Sequence, residues 1–117
     1  MSCSNQNYFS DITKGDTFKG RKMWFYNGKD DAKTPIDLTG ASVLIQFKKG
    51  YAQNATFKFD TADNSILITD AVNGEITLVA RKMDYPAYNY LFDVQVTFAS
   101  GVVKTFFTNY WKICQDV

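Results

Sequence analysis

Histidine is missing altogether from this chain of 117 residues. Its absence removes the commonest general base, the usual activator of a serine or cysteine nucleophile and the commonest transition-metal ligand. Cysteine is scarce as well, with two residues, Cys3 and Cys114, near opposite ends. Two distant cysteines make no disulfide framework, although they would bridge if the termini meet. The N-terminal stretch Met1 to Asn7 has neither a basic n-region nor an apolar h-region. These features together predict cytosolic synthesis and free thiols. No apolar run approaches the roughly eighteen residues a membrane helix needs, so no membrane partner is expected. An excess of one charge is also lacking, because 13 basic and 12 acidic side chains leave a formal charge of +1. They are mixed along the chain and produce no long-range field, which excludes a nucleic-acid partner held by charge.

Aromatic residues are what the chain has in quantity: ten Phe, seven Tyr and two Trp make up 16 % of it. Large flat side chains suit pleated, half-buried surfaces and tilt the composition towards sheet. A chain of this length reads as one domain and buries about 60–70 % of its unfolded surface.

The clearest pattern starts at the polar turn Asp37-Leu38-Thr39-Gly40. Beyond it, Ala41, Val43, Ile45 and Phe47 alternate with Ser42, Gln46 and Lys48, and only Leu44 breaks the pattern. Such alternation predicts a half-buried strand over 41–48. Before it, residues 1–11 read as a polar arm whose end is tucked in by Tyr8, Phe9 and Ile12. Lys14-Gly15-Asp16 reads as a turn, and 17–26 as a strand in which Gly20 marks a bulge or a close backbone approach. The stretch from Asn27 to Pro35 reads as a solvated loop. Short strands are expected at 56–59, 66–68 and 75–80, with Asn73-Gly74 as a tight type I′ connection into the last of them. Arg81 to Ala87, which contains Pro86, is expected to be a loop or a single helical turn. Tyr90, Phe92, Val94, Val96 and Phe98 share a face and form a hairpin through Ser100-Gly101 with 102–107, before a last strand at 110–113. About seven to eight strands at this spacing, with no convincing helix, mean an all-β sandwich or barrel.

A catalytic constellation does not assemble from these residues. Cys3, Cys114 and the scattered hydroxyls have no histidine to activate them. Cys114, with Lys112 on its strand face, reads as an inert apolar side chain. Asp60, Asp63 and Asp70 crowd one region and Asp30 and Asp31 another, all in turns where Asp serves local backbone hydrogen bonds. None has the spacing of an EF-hand. No enzyme activity, cofactor or metal is expected. Asp93, opposite Phe92 and Val94 in the alternation, reads as a solvated carboxylate. The aromatics Trp24, Tyr26, Tyr51, Tyr85, Tyr88, Tyr110 and Trp111 stack on sugars or bases or form an assembly surface if exposed, and are core and rim side chains if not; Trp24, Tyr26, Tyr88, Tyr110 and Trp111 are the candidate interface residues.

Several of these segments carry a resemblance. Lys14-Gly15-Asp16-Thr17, then Asp37-Leu38-Thr39-Gly40-Ala41, then Tyr90-Leu91-Phe92-Asp93-Val94 occur in order and are followed by the turn at Ser100-Gly101. Trp111-Lys112-Ile113, with Asp116-Val117, closes the chain. This series is similar to small immunoglobulin-like domains of phage tail and baseplate structural proteins, such as the N-terminal domain of baseplate upper proteins, over residues 12–117. The resemblance implies a single immunoglobulin-like antiparallel β-sandwich following the arm at 1–11. It also implies a non-catalytic adaptor, connector or decoration subunit of the tail, baseplate or head-tail region. Other phage virion proteins would be its partners, with homo-oligomers possible and the virion, after synthesis in the host cytoplasm, as its location. In the family such a domain precedes fibre or receptor-binding parts. Here the sequence stops with the domain, so a free-standing subunit is expected. The alternative is a carbohydrate-binding β-sandwich module in which the same aromatics stack on sugar rings.

Overall fold

The computed structural model describes residues 8–28, 33–51 and 54–115. Within them the fold is all-β and predominantly antiparallel, with one 3-10 turn at Thr61–Asp63. The strands are β1 (Ile12–Thr13), β2 (Thr17–Phe18), β3 (Arg21–Trp24), β4 (Tyr26–Asn27), β5 (Thr34–Pro35) and β6 (Ser42–Lys48). They continue as β7 (Phe57–Asp60), β8 (Ile66–Asp70), β9 (Glu75–Leu78), β10 (Arg81–Lys82), β11 (Tyr88–Thr97) and β12 (Val103–Cys114). Four sheets result: a five-stranded β1-β12-β11-β6-β7, a three-stranded β3-β9-β8, and the pairs β10-β2 and β4-β5.

The alternation that predicted β6 places Val43, Ile45 and Phe47 inside, and the same period in β11 buries Tyr90, Phe92, Val94 and Val96. These side chains meet Met23 from β3, Ile66 from β8, and Ile76 and Leu78 from β9 in one continuous apolar cluster. Both larger sheets thus give their inner face to the same core. Its centre is aromatic: Phe47 stacks on Phe57 at 4.4 Å, and Phe57 stacks on Tyr85 at 4.3 Å. Buried Tyr90 donates its hydroxyl to the carbonyl of Pro86, four residues upstream, at 2.5 Å.

Several expectations hold. Gly15 turns the chain with φ +91°, and Asp16 N–H donates to Thr13 C=O at 3.0 Å. Gly20 is a close approach, since a Cβ there would lie 2.8 Å from the carbonyl oxygen of Leu78. The hairpin turn holds too, with Phe98 N–H donating to Val102 C=O at 2.8 Å.

Others need correction. The stretch 17–26 is three short strands rather than one, because the chain breaks at Gly20 and again at Phe25, which turns inward and is buried. Asn73-Gly74 is not a type I′ turn, because only Gly74 has positive φ there. The connection is the longer loop Ala71–Gly74, closed by Gly74 N–H to Ala71 C=O at 3.1 Å. The two final strands are one, β12, which absorbs a register shift opposite Val94 and Gln95 as a bulge at Phe106. Arg81–Lys82, expected in a loop, pairs with Thr17–Phe18. Free thiols do not hold at Cys114, which is disulfide-bonded and buried. The physical reason is that β1 lies parallel to β12, bringing the N-terminal part of the chain beside the C-terminal strand. Cys3, Asp30 and Asp31 lie outside the described residues.

Candidate binding surfaces

The five candidate aromatics do not form one surface. Trp24 and Tyr26 are 50 % and 43 % exposed and flank the buried Phe25; Trp24 ends β3, and Tyr26 lies in β4, paired with β5. Trp24 sits opposite Glu75, and Lys22 reaches that carboxylate at 3.6 Å. Leu67, also exposed, lies two strands away in the row Lys22, Thr77, Leu67. Among the described residues β3 is an edge strand that pairs with β9 alone. Tyr26 is further flanked by the ammonium of Lys33, 5.2 Å from its ring centre.

Tyr88 and Tyr110 belong to the other large sheet. Tyr88 is on the inner-face parity at the start of β11, with its ring 5.6 Å from that of Tyr90. Tyr110 pairs with Leu91 and so faces outward. Trp111 is a core residue and is removed from the interface set. It is 1 % exposed, stacks on Phe9 at 4.3 Å and donates Nε1–H to Ser10 C=O at 2.9 Å. The N-terminal segment covers it, a burial that strand alternation alone could not reveal.

Asp93 and Tyr51 were each legible in the sequence, but not the groove they share. On the outer face of the five-stranded sheet a groove of about 220 Å³ is lined by Gln46, Lys48, Tyr51, Leu91, Asp93 and Thr108, among others. The register sets Thr108, Asp93 and Gln46 in one row across three strands, and Tyr110, Leu91 and Lys48 in the next. Alternation places each of these side chains outward. Only the cross-strand register brings them together.

The other carboxylates do as turn chemistry expects. Asp37 accepts from the N–H and hydroxyl of Thr39, and those bonds hold its pKa below the ordinary 3.8. Asp63 is lowered in the same way by the hydroxyl and N–H of Ser65, and Asp84 by the Lys14 ammonium at 2.9 Å. Asp60 and Asp70 accept from Ala62 N–H and Asn73 N–H. Among the described residues no group of three or more His, Cys, Asp or Glu side chains is placed to hold a metal ion. No described helix is long and apolar enough to cross a membrane. Comparison with known protein families, curated proteins and solved structures found no match.

Proposed function

We propose that this chain is a non-catalytic assembly subunit, built as an immunoglobulin-like sandwich, that docks onto other phage virion proteins or further copies of itself. The strand layout supports the sandwich reading. Across the sheets, the order β3-β9-β8 is that expected of B, E and D strands, and the order β6-β11-β12 that of C, F and G. The hydroxyl of Tyr90, near the start of β11, bonds back to Pro86 in the manner of the tyrosine corner of such sandwiches.

The observation that carries the docking role is the half-exposed pair Trp24 and Tyr26: Trp24 ends β3, an edge strand that pairs with β9 alone among the described residues, and Tyr26 follows it in the β4-β5 pair. An edge strand offers backbone donors and acceptors to an incoming strand, and exposed aromatics beside it supply apolar area. The motifs shared with tail and baseplate domains support the virion as the setting.

Two measurements test this reading. Light scattering over a wide concentration range is expected to show a discrete oligomer that the double variant Trp24→Ala, Tyr26→Ala returns to monomer with an unchanged Tm. Mass spectrometry of purified particles is expected to find the chain among the virion proteins. A strict monomer removes self-assembly through this edge, and absence from the particle removes the virion role.

A further inference from the structure

We propose that the groove on the outer face of the five-stranded sheet binds a neutral saccharide. Asp93, Gln46 and Lys48 are its polar contacts, and Leu91 and Tyr51 are its apolar platform. This site lies on a different sheet from the Trp24–Tyr26 edge and does not depend on the docking role.

Three observations carry the proposal. First, Asp93 is half-buried on the sheet face, yet no side-chain hydrogen bond or ion pair among the described residues engages it, nor Gln46, Lys48 or Thr108. Asp37, Asp60, Asp63, Asp70, Asp84 and Glu75, by contrast, each have a hydrogen-bond or ion-pair partner. The bonding capacity of the groove is therefore available to a ligand. Second, its inventory is mixed: a carboxylate that only accepts, an ammonium that only donates, and a carboxamide and a hydroxyl that do both. Neighbouring strands set these groups roughly 5 Å apart. Vicinal hydroxyls, each both donor and acceptor, match such an interleaved row, and one positive charge beside one negative favours a ligand of no net charge. Third, Tyr51 stands at the rim 94 % exposed, with nearly its whole ring available to cover an apolar sugar face against Leu91.

The test is an NMR titration of the isotope-labelled chain with glucose, galactose, mannose and N-acetylglucosamine, and with lactose, maltose and chitobiose. Adenosine serves as a neutral ring-bearing comparison. At least one sugar is expected to give saturable shifts confined to residues 46–51, 91–93 and 108. Asp93→Asn is expected to weaken that binding about tenfold, as loss of a charge-assisted bond does. Tyr51→Ala weakens it as well, and both variants keep the wild-type spectrum elsewhere. Absence of a saturable shift with every sugar overturns the proposal. So do shifts centred on Trp24 and Tyr26, or a response of the groove to adenosine alone.

Discussion

Gly74 stands where three backbone segments converge. Its φ is +70°, and a Cβ there would lie 2.7 Å from the carbonyl oxygens of both Phe25 and Ile36. Its own carbonyl accepts from Phe25 N–H at 2.9 Å, so the position cannot shift away without breaking the junction. Gly74→Ala is expected to cost more than the roughly 1–2 kcal/mol of the left-handed conformation alone, because it adds contacts with two rigid backbone oxygens. Gly15→Ala is the control: φ is also positive, but nothing lies within 4 Å of the added Cβ. Urea unfolding of the two variants measures the difference, and equal losses would mean the junction relaxes around a methyl group. The sequence marked Gly74 as a turn residue, whereas the carbonyls of Phe25 and Ile36 that hem it in come from distant segments.

At the scale of elements, the N-terminal segment and β12 act as a unit. Phe9 is 2 % exposed and touches Phe18, Phe47, Phe92 and Trp111. Arg21 holds the same segment from outside: its guanidinium lies 4.0 Å from the Tyr8 ring centre and donates to Tyr8 C=O at 2.6 Å. Lys14 N–H then donates to Cys114 C=O at 2.8 Å beyond the parallel pair β1–β12. Trp111→Ala would empty the centre of this unit and leave Ser10 C=O without its indole donor. A loss of about 3–5 kcal/mol is expected, with the proton signals of Tyr8 and Phe9 among those most displaced. A change under about 1 kcal/mol would show that the segment does not depend on Trp111. The tucking of Tyr8, Phe9 and Ile12 was readable from their apolar character in a polar arm. That Trp111 is the side chain they cover was not, since a tryptophan on a terminal strand fits a rim as well as a core.

For the whole molecule, the titrating groups shape how stability follows pH. Asp37, Asp63 and Asp84 have folded pKa values below the ordinary 3.8. Their contribution is present above 3.8 and is lost as pH falls through their lowered values. All three are exposed, so solvent keeps the effect small. Burial raises the Tyr90 phenol above 10.0, so its contribution is complete below that pH and lost as pH rises through the raised value. Chemical denaturation across pH is expected to show a plateau that declines gently on the acid side and falls again on the alkaline side. Tyr90→Phe is expected to flatten the alkaline decline at a cost of about 1 kcal/mol at neutral pH. An unchanged alkaline limb would place its cause elsewhere.

The all-β character and the identity of the two central strands are legible in the amino-acid sequence, because a period of two with one apolar face is a local property. Val43, Ile45, Phe47, Tyr90, Phe92, Val94 and Val96 were all readable as one-sided, and Asp60, Asp63 and Asp70 as turn residues that accept from the backbone two or three residues on. Which strands lie side by side follows from the folded chain alone. Register is a relation between distant segments, and it alone put Thr108, Asp93 and Gln46 in one row, merged 102–107 with 110–113, and set β1 beside β12. Only the tertiary structure separated Trp24 from Trp111, leaving one at an edge and burying the other. Burial depends on what else packs against a side chain, and no local pattern carries that information.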